Sequence, residues 1–312
     1  SPWIVKSFPS TVEYVSQNYI ENIDEFLAAV IHKPVQIADV KSKYNTVTKK
    51  VRILIVPGHE PNFGGTEFGN LKERDMTVDL ANNLSEFFLN NSHYQVFVTR
   101  DKDKWTTDID NYFKNNWNDI VAFLNESKTD LLKSISDGSV QRPKDSSVYH
   151  NDAPKNVAYR LYGINKWSNE NEIDIAIHIH FNDYPRSDAS KPGKYSGLAI
   201  YVPERSFYNS STTDAIAKTV YNRLSKYNAT SNLPNEEVGI VEDDDLIAIG
   251  AYNTADAASM LIEYGYIYEP QFADPTIRSK TVRELAYQTY LGIEDFFDQK
   301  GNAGIAYDTL VL

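Results

Sequence analysis

Short apolar runs and longer amphipathic stretches alternate along this chain from residue 51 onwards. A nearly continuous apolar run over residues 51–56, closed by Pro57-Gly58, predicts a buried β-strand that ends in a turn. Further strands are predicted over residues 94–99, 173–179, 197–202 and 258–262. Apolar residues at helical spacing predict one helix that begins near residue 73 and others over residues 157–167, 212–227 and 276–297. This alternation predicts an α/β fold with a mostly parallel or mixed central sheet, flanked by helices on both faces.

Two stretches depart from this alternation. Residues 104–153 predict a helical insertion between two strands, because their apolar residues recur at helical spacing ahead of a polar tail. These residues are Trp105, Ile109, Phe113, Trp117, Ile120 and Leu124. We expect the insertion to form a cap near the crevice at the edge of the sheet. Its aromatic side chains either bury the cap against the domain, which we favour, or line the crevice so that the cap acts as a lid. Residues 1–50 are predicted to be an N-terminal helical or linker segment, with a helix over residues 12–30, ahead of a main domain over residues 51–312.

Composition narrows the classes of function. The 312 residues carry a formal net charge of −12, which argues against nucleic acid or an anionic membrane as the main partner. No apolar run approaches the length of a membrane span, and the first residues do not form a signal peptide. The absence of cysteine excludes disulfides, thiolate metal sites and a cysteine nucleophile. The oligomeric state is left open by the sequence.

Three potential metal ligands lie where the predicted fold brings side chains together. His59 follows the first strand, Glu73 begins the next helix, and His180 comes directly after the strand predicted over residues 173–179. In open α/β sheets the ligand crevice lies outside the carboxyl ends of the strands. Two histidines and one carboxylate leave an open position on zinc, which is the pattern of a catalytic site. Glu263, at the end of the strand over residues 258–262, is the candidate general base.

Each of these residues also has a purely structural interpretation. A histidine after a strand is often a turn residue, and a glutamate in a first helical turn favours the helix dipole. His178 shares a strand face with His180, as buried polar residues in cores also do. Glu263 is hardest to explain structurally, because burying an unpaired carboxylate is costly.

Five segments around these residues form an ordered set of motifs. In chain order they are Ile55-Val56-Pro57-Gly58-His59, Gly69-Asn70-Leu71-Lys72-Glu73-Arg74-Asp75, Val98-Thr99-Arg100-Asp101, Ile177-His178-Ile179-His180-Phe181-Asn182 and Leu261-Ile262-Glu263-Tyr264-Gly265-Tyr266. The set resembles the motifs of the zinc-dependent N-acetylmuramoyl-L-alanine amidases of the amidase-3 type. Arg160 and Asn165 also resemble residues of the helix that precedes the fourth motif in that family. The resemblance extends over roughly residues 51–297.

The resemblance implies a role for each candidate. His59, Glu73 and His180 would bind zinc, and Glu263 would act as the general base that later protonates the leaving amine. Asn182 follows His180 by two positions, as in the family motif, which selects His180 over His178. The implied activity is hydrolysis of the amide bond between N-acetylmuramic acid and L-alanine in peptidoglycan. The implied location is secreted, periplasmic or associated with the cell wall, and residues 51–312 would be the catalytic domain.

The sequence also departs from the family pattern. Glu60-Pro61 stands where a Gly-Gly pair usually follows the first histidine, and Gly64-Gly65 comes later. His178 replaces a small residue. Two other functions are compatible with the same residues: a zinc exopeptidase or carboxypeptidase that acts on peptides, and a catalytically inactive amidase-like domain that binds the cell wall.

Overall fold

The computed structural model describes residues 5–6 and 32–298, so the helix predicted over residues 12–30 lies outside the described part. The described strands are β1 (Val5–Lys6), β2 (Val51–Pro57), β3 (Glu67–Phe68), β4 (Leu71–Lys72), β5 (Tyr94–Val98), β6 (Asn151–Asp152), β7 (Ile175–Asn182), β8 (Ala199–Pro203), β9 (Ile240–Asp243) and β10 (Ala258–Tyr266). The α-helices are α1 (Ile37–Tyr44), α2 (Glu73–Leu89), α3 (Thr107–Asn115), α4 (Trp117–Ser136), α5 (Lys155–Glu170), α6 (Ser210–Leu224), α7 (Pro270–Ala273) and α8 (Pro275–Phe297).

Six of the strands form a mixed central sheet in the order β5-β2-β7-β10-β8-β9. Strands β5, β2, β7 and β10 are mutually parallel, whereas β8 pairs antiparallel to β10 and parallel to β9. The carboxyl ends of β2, β7 and β10 therefore meet at one edge of the sheet. The predicted fold class, a mixed α/β sheet with helices around it, is confirmed.

The two faces of the sheet are covered by different helices. On β7, Ile175, Ile177 and Ile179 face a core shared with α2, α6 and α8, because side chains alternate along a strand. Ala176 faces the opposite core, which contains Leu54 of β2 and side chains of α3 and α5. His178 and His180 point to this second face, which is the face of the candidate site.

The predicted helical insertion contains two helices, α3 and α4. Helices α3 and α4 are separated at Asn116, which has a non-helical backbone. Ile109 and Phe113 of α3 and Ile120 of α4 are buried in the second core. The insertion therefore packs on the face of the sheet that carries the candidate site.

Helix α1 and strand β9 were not predicted from the sequence. Val40 is the buried residue of α1, and it packs into the first core. None of the helices within residues 32–298 is long and apolar enough to cross a membrane.

Candidate active site

The structure brings the three predicted metal ligands together. The nearest donor atoms of His59, Glu73 and His180 all lie within 4.8 Å of one another. Oε1 of Glu73 is 2.8 Å from Nε2 of His59 and 3.1 Å from Nδ1 of His180. His59 follows β2, Glu73 begins α2, and His180 lies near the end of β7. The parallel pairing of β2 with β7 is what places the two histidines side by side.

The donor set fits a bound cation. Nε2 of His59 is buried and has no hydrogen-bond partner of acceptable geometry among the described residues, although it lies 2.8 Å from Oε1 of Glu73. Three ligand atoms that converge on one point are better placed to bind a metal ion than to form hydrogen bonds with one another. Two imidazole nitrogens and one carboxylate are also the protein ligands that catalytic zinc sites use.

Glu73 is fixed by backbone amides. The amide of Thr66 donates to Oε2 over 2.9 Å, and the amide of Phe181 donates to Oε1 over 3.1 Å. Burial alone would raise the pKa of Glu73, but the charge of His59 and the hydrogen bond from His180 hold the pKa below its ordinary value. The carboxyl group is therefore ionised and correctly oriented to act as a ligand.

The turn that carries His59 is tight and strained. His59 has a φ of 68°, which is uncommon for a residue with a side chain. A Cβ atom added to Gly58 would lie 2.4 Å from Cε1 of His180. A Cβ atom on Gly65, which has a φ of +80°, would lie 3.0 Å from Cδ2 of His59. Both glycines are therefore needed so that the backbone can approach the two imidazole rings.

Arg100 stabilises this turn through hydrogen bonds to its backbone carbonyl groups. Its side chain is 1% exposed, and its guanidinium group donates to the backbone carbonyls of Pro57, Gly58 and Arg74. Burial lowers the pKa of Arg100 to about 10. The sequence placed Arg100 in a motif without assigning it a function, because contacts with carbonyl groups leave no pattern in the sequence.

Glu263 lies beside the ligand cluster on β10, directly across from His180 in the strand register. The residue is 1% exposed, and nothing in the described part of the chain donates a hydrogen bond to its Oε2. Burial raises the pKa of Glu263 well above its ordinary value, and the nearby carboxylates of Glu73 and Glu236 raise it further. A buried carboxyl group with a raised pKa at this place is a candidate for proton transfer.

Glu263 lies near a buried polar cluster around Glu236, which the sequence did not indicate. Glu236 is 1% exposed and accepts hydrogen bonds from Asn182, Tyr201 and Ser231. Asn182, which the motif register used only to choose between histidines, therefore connects the end of β7 to this cluster. Glu236 lies in an irregular segment, so no periodicity could have predicted it.

His178 is not part of the ligand cluster. It lies on the same face of β7 as His180, is 2% exposed, and lines a cleft next to the cluster. Burial lowers the pKa of His178 to about 3, and the neighbouring His180 adds to that shift. Among the described residues, His180 lies in the cluster with His59 and Glu73, and His178 lies outside it.

Two histidines and a carboxylate at the carboxyl edge of an α/β sheet, with a further carboxylate beside them, form the arrangement that metallohydrolases use. The sequence profile of the N-acetylmuramoyl-L-alanine amidase family matches residues 53–136 and 139–295 of this chain. The chain belongs to that family. A comparison with curated proteins gave no match.

Solved structures of amidases share the fold. The N-acetylmuramoyl-L-alanine amidase from Clostridium difficile 630 is 18% identical, with a TM-score of 0.51 and coverage of 81% of this chain and 99% of that one. Ami1 from Mycobacterium smegmatis is 13% identical, with a TM-score of 0.50 and coverage of 80% and 99%. Ami1 from Mycobacterium abscessus is 14% identical, with a TM-score of 0.50 and coverage of 78% and 97%.

Proposed function

We propose that this protein is a zinc-dependent N-acetylmuramoyl-L-alanine amidase, which hydrolyses the amide bond between N-acetylmuramic acid and L-alanine of peptidoglycan. The observation that carries the proposal is the convergence of His59, Glu73 and His180 beside the buried carboxyl group of Glu263, whose Oε2 has no hydrogen-bond partner among the described residues. Membership of the amidase family supports the choice of this substrate over other amides. Residues 51–312 would form the catalytic domain, with residues 1–50 as a helical or linker segment.

His59, Glu73 and His180 would hold the zinc ion. Zinc bound there would polarise the scissile carbonyl group and make water a stronger acid. The backbone amides of Thr66 and Phe181 keep Glu73 oriented as a ligand throughout.

Glu263 would move the proton. Its carboxylate would accept a proton from the attacking water and then donate that proton to the nitrogen of L-alanine as the amide bond breaks. A nearby cation would oppose the influence of Glu73 and Glu236 on Glu263 and favour the ionised form that a base requires. Glu263 is 1% exposed, so bulk water has little access to this carboxyl group. The substrate implies that the protein acts outside the cytoplasm, as a secreted, periplasmic or wall-associated enzyme.

The proposal is tested with purified protein, zinc and peptidoglycan. We expect soluble peptides with a new N-terminal alanine, loss of activity with a chelator, and recovery on addition of zinc. His59→Ala, Glu73→Ala and His180→Ala should each lose zinc and activity, whereas His178→Ala should keep most of its zinc. Single amino acids released from ordinary peptides would indicate an exopeptidase instead. Stoichiometric zinc without any cleavage would indicate a binding domain.

A further inference from the structure

An apolar cleft extends from the proposed metal centre along the second face of the sheet. It encloses about 710 Å³, including the solvent at its mouth. Most of its wall is aliphatic or aromatic and comes from β2, β10, α5 and the start of the insertion. The wall residues include Val56, Trp105, Val157, Leu161, Ile164 and Leu261. The proposed hydrolysis uses none of these side chains, so the cleft needs a separate explanation.

One polar side chain lines this cleft without a hydrogen-bond partner among the described residues. His178 lies between Val56 of β2 and Leu261 of β10 in the strand register, and its ring makes no hydrogen bond to any residue within 32–298. Other buried histidines are paired: His150 with Asp243, and His180 with Glu73. The hydrogen-bonding capacity of the His178 ring is therefore not used by any described residue, and it is available to a ligand in the cleft.

The rim of the cleft is neutral overall. Arg160 of α5 forms an ion pair with Glu60 of the loop after His59, over 2.5 Å, and both residues line the cleft. The two charges satisfy each other, so neither is left to attract a charged ligand. The walls, the floor and the rim therefore suit a small neutral group with one apolar end and one hydrogen-bonding atom.

The spacing of the two histidines limits which part of the substrate could reach His178. Residues two apart on a strand are separated by about 6.6 Å. The lactyl methyl and the alanine methyl adjoin the scissile amide and are too close to reach that far. The second residue of the peptide carries a carboxyl group, which apolar walls disfavour. The acetamido group of the sugar is separated from the scissile carbonyl by the lactyl ether and two ring carbons, and it is neutral.

We propose that this cleft is a subsite for the acetamido group of the muramoyl sugar, with His178 as its hydrogen-bond partner. The inference rests on the proposed amidase function. The acetyl methyl packs against the apolar walls, and the ring of His178 bonds to the amide of the substituent. The subsite makes the enzyme select N-acetylated over de-N-acetylated glycan.

Binding tests the subsite independently of catalysis. The ring signals of His178 are followed by NMR in the zinc-loaded protein, with assignment from their loss in His178→Ser. We expect N-acetylmuramic acid to shift these signals saturably and muramic acid to leave them unchanged. The ring of His93, which contacts Tyr44 and does not line the cleft, is the internal control. Equal shifts with both sugars, or no shift with either, would overturn the subsite.

The rate of cleavage tests the expected preference for N-acetylated substrate. Muramoyl-peptides with and without the N-acetyl group are compared on wild type, His178→Ser, the cleft-filling variant Ala248→Leu and the control His93→Ser, each with its zinc content measured. Wild type and His93→Ser should show a kcat/KM roughly tenfold higher for the acetylated substrate, the equivalent of one hydrogen bond. The preference should largely disappear in the two cleft variants. Equal rates in wild type, or an unchanged preference in both cleft variants, would contradict the inference. Failure of wild type to cleave either substrate would refute the amidase function, and the NMR result would then decide the subsite.

Discussion

Side chains of the proposed metal centre are held mainly by backbone atoms. Two backbone amides fix the carboxylate of Glu73, and Arg100 fixes the carbonyl groups of the turn before His59. Backbone groups of a packed sheet move little, so ligands that they hold are oriented before the metal arrives. Small changes in the backbone near the ligands should therefore affect metal affinity strongly.

Gly58→Ala tests this dependence. The added methyl group would lie 2.4 Å from Cε1 of His180, so the imidazole ring would have to move. We expect zinc affinity to fall by roughly 10–100-fold, as when a group that orients a ligand is lost. Competition with a chromophoric chelator measures the affinity. Gly69→Ala is the control for backbone strain without a contact to the ligands, because its φ of +57° disfavours alanine while a Cβ atom there meets nothing within 4 Å. Equal affinity in both variants would show that the ring of His180 tolerates displacement.

Glu263→Gln separates proton transfer from metal binding. The amide is close in size to the carboxyl group but cannot take a proton from water, so zinc should remain bound while kcat falls by about 10²–10⁴-fold. Peptide release and zinc content are measured on the same samples. Glu67→Gln, at an exposed glutamate of β3, should leave turnover near that of wild type. A Glu263→Gln variant with normal turnover would assign the base to another residue.

At the level of elements, the sequence predicted where strands end better than how they pair. Residues 51–56 and 173–179 were predicted as strands, and their carboxyl ends do meet at the site. The apolar run of β8 fits either strand direction, so its antiparallel pairing with β10 could not be predicted. The contributions of Thr66 and Glu236 were also missed, because each depends on contacts between distant parts of the chain. The ligand roles of the predicted site residues stay a prediction.

The segment that leads from α4 back to α5 is anchored by one buried ion pair. Nε2 of His150 lies 2.9 Å from Oδ2 of Asp243 on β9, and Ser146 donates to the same carboxylate. The carboxylate also accepts hydrogen bonds from the amides of Asp245 and Leu246. This pair connects the predicted insertion to the edge of the central sheet.

Replacing His150 by alanine should therefore lower the free energy of unfolding by about 2 kcal/mol, because it removes one hydrogen-bond partner of a buried carboxylate that keeps Ser146 and two backbone amides. Burial alone would raise the pKa of Asp243, but His150 and the hydrogen bonds hold it below its ordinary value. The stability from this group is fully present above the unfolded-chain pKa of about 3.9 and is lost as the pH falls through the lower folded-state pKa. Urea titrations at several pH values should show the difference from wild type shrinking in acid. Asp110→Ala, which removes the exposed pair with Lys114, should change little.

At the scale of the whole molecule, the central sheet lies between two layers of helices, and the two helical layers have different roles. Helices α2, α6 and α8 cover the face that carries only apolar residues of β7. Helices α3 and α5 cover the face that carries the proposed active site. The insertion therefore completes a core and, through Trp105, also borders the cleft. A removable lid would border the cleft without completing the core.

Deleting residues 107–152 distinguishes a core element from a lid. Both ends of the deleted segment are near each other, because Trp105 and Ala153 line the same cleft, so a short Gly-Ser linker can join them. The deletion would expose Leu54 and Trp167, which now pack in the second core. We expect a protein that binds a hydrophobic dye and lacks cooperative unfolding, whereas the single change Phe113→Ala should unfold cooperatively with about 3 kcal/mol less stability. Near-ultraviolet circular dichroism and urea titration report both states. A deletion variant that unfolds cooperatively and retains zinc would instead show that the segment is a separable lid, since its helices would then contribute nothing essential to the core.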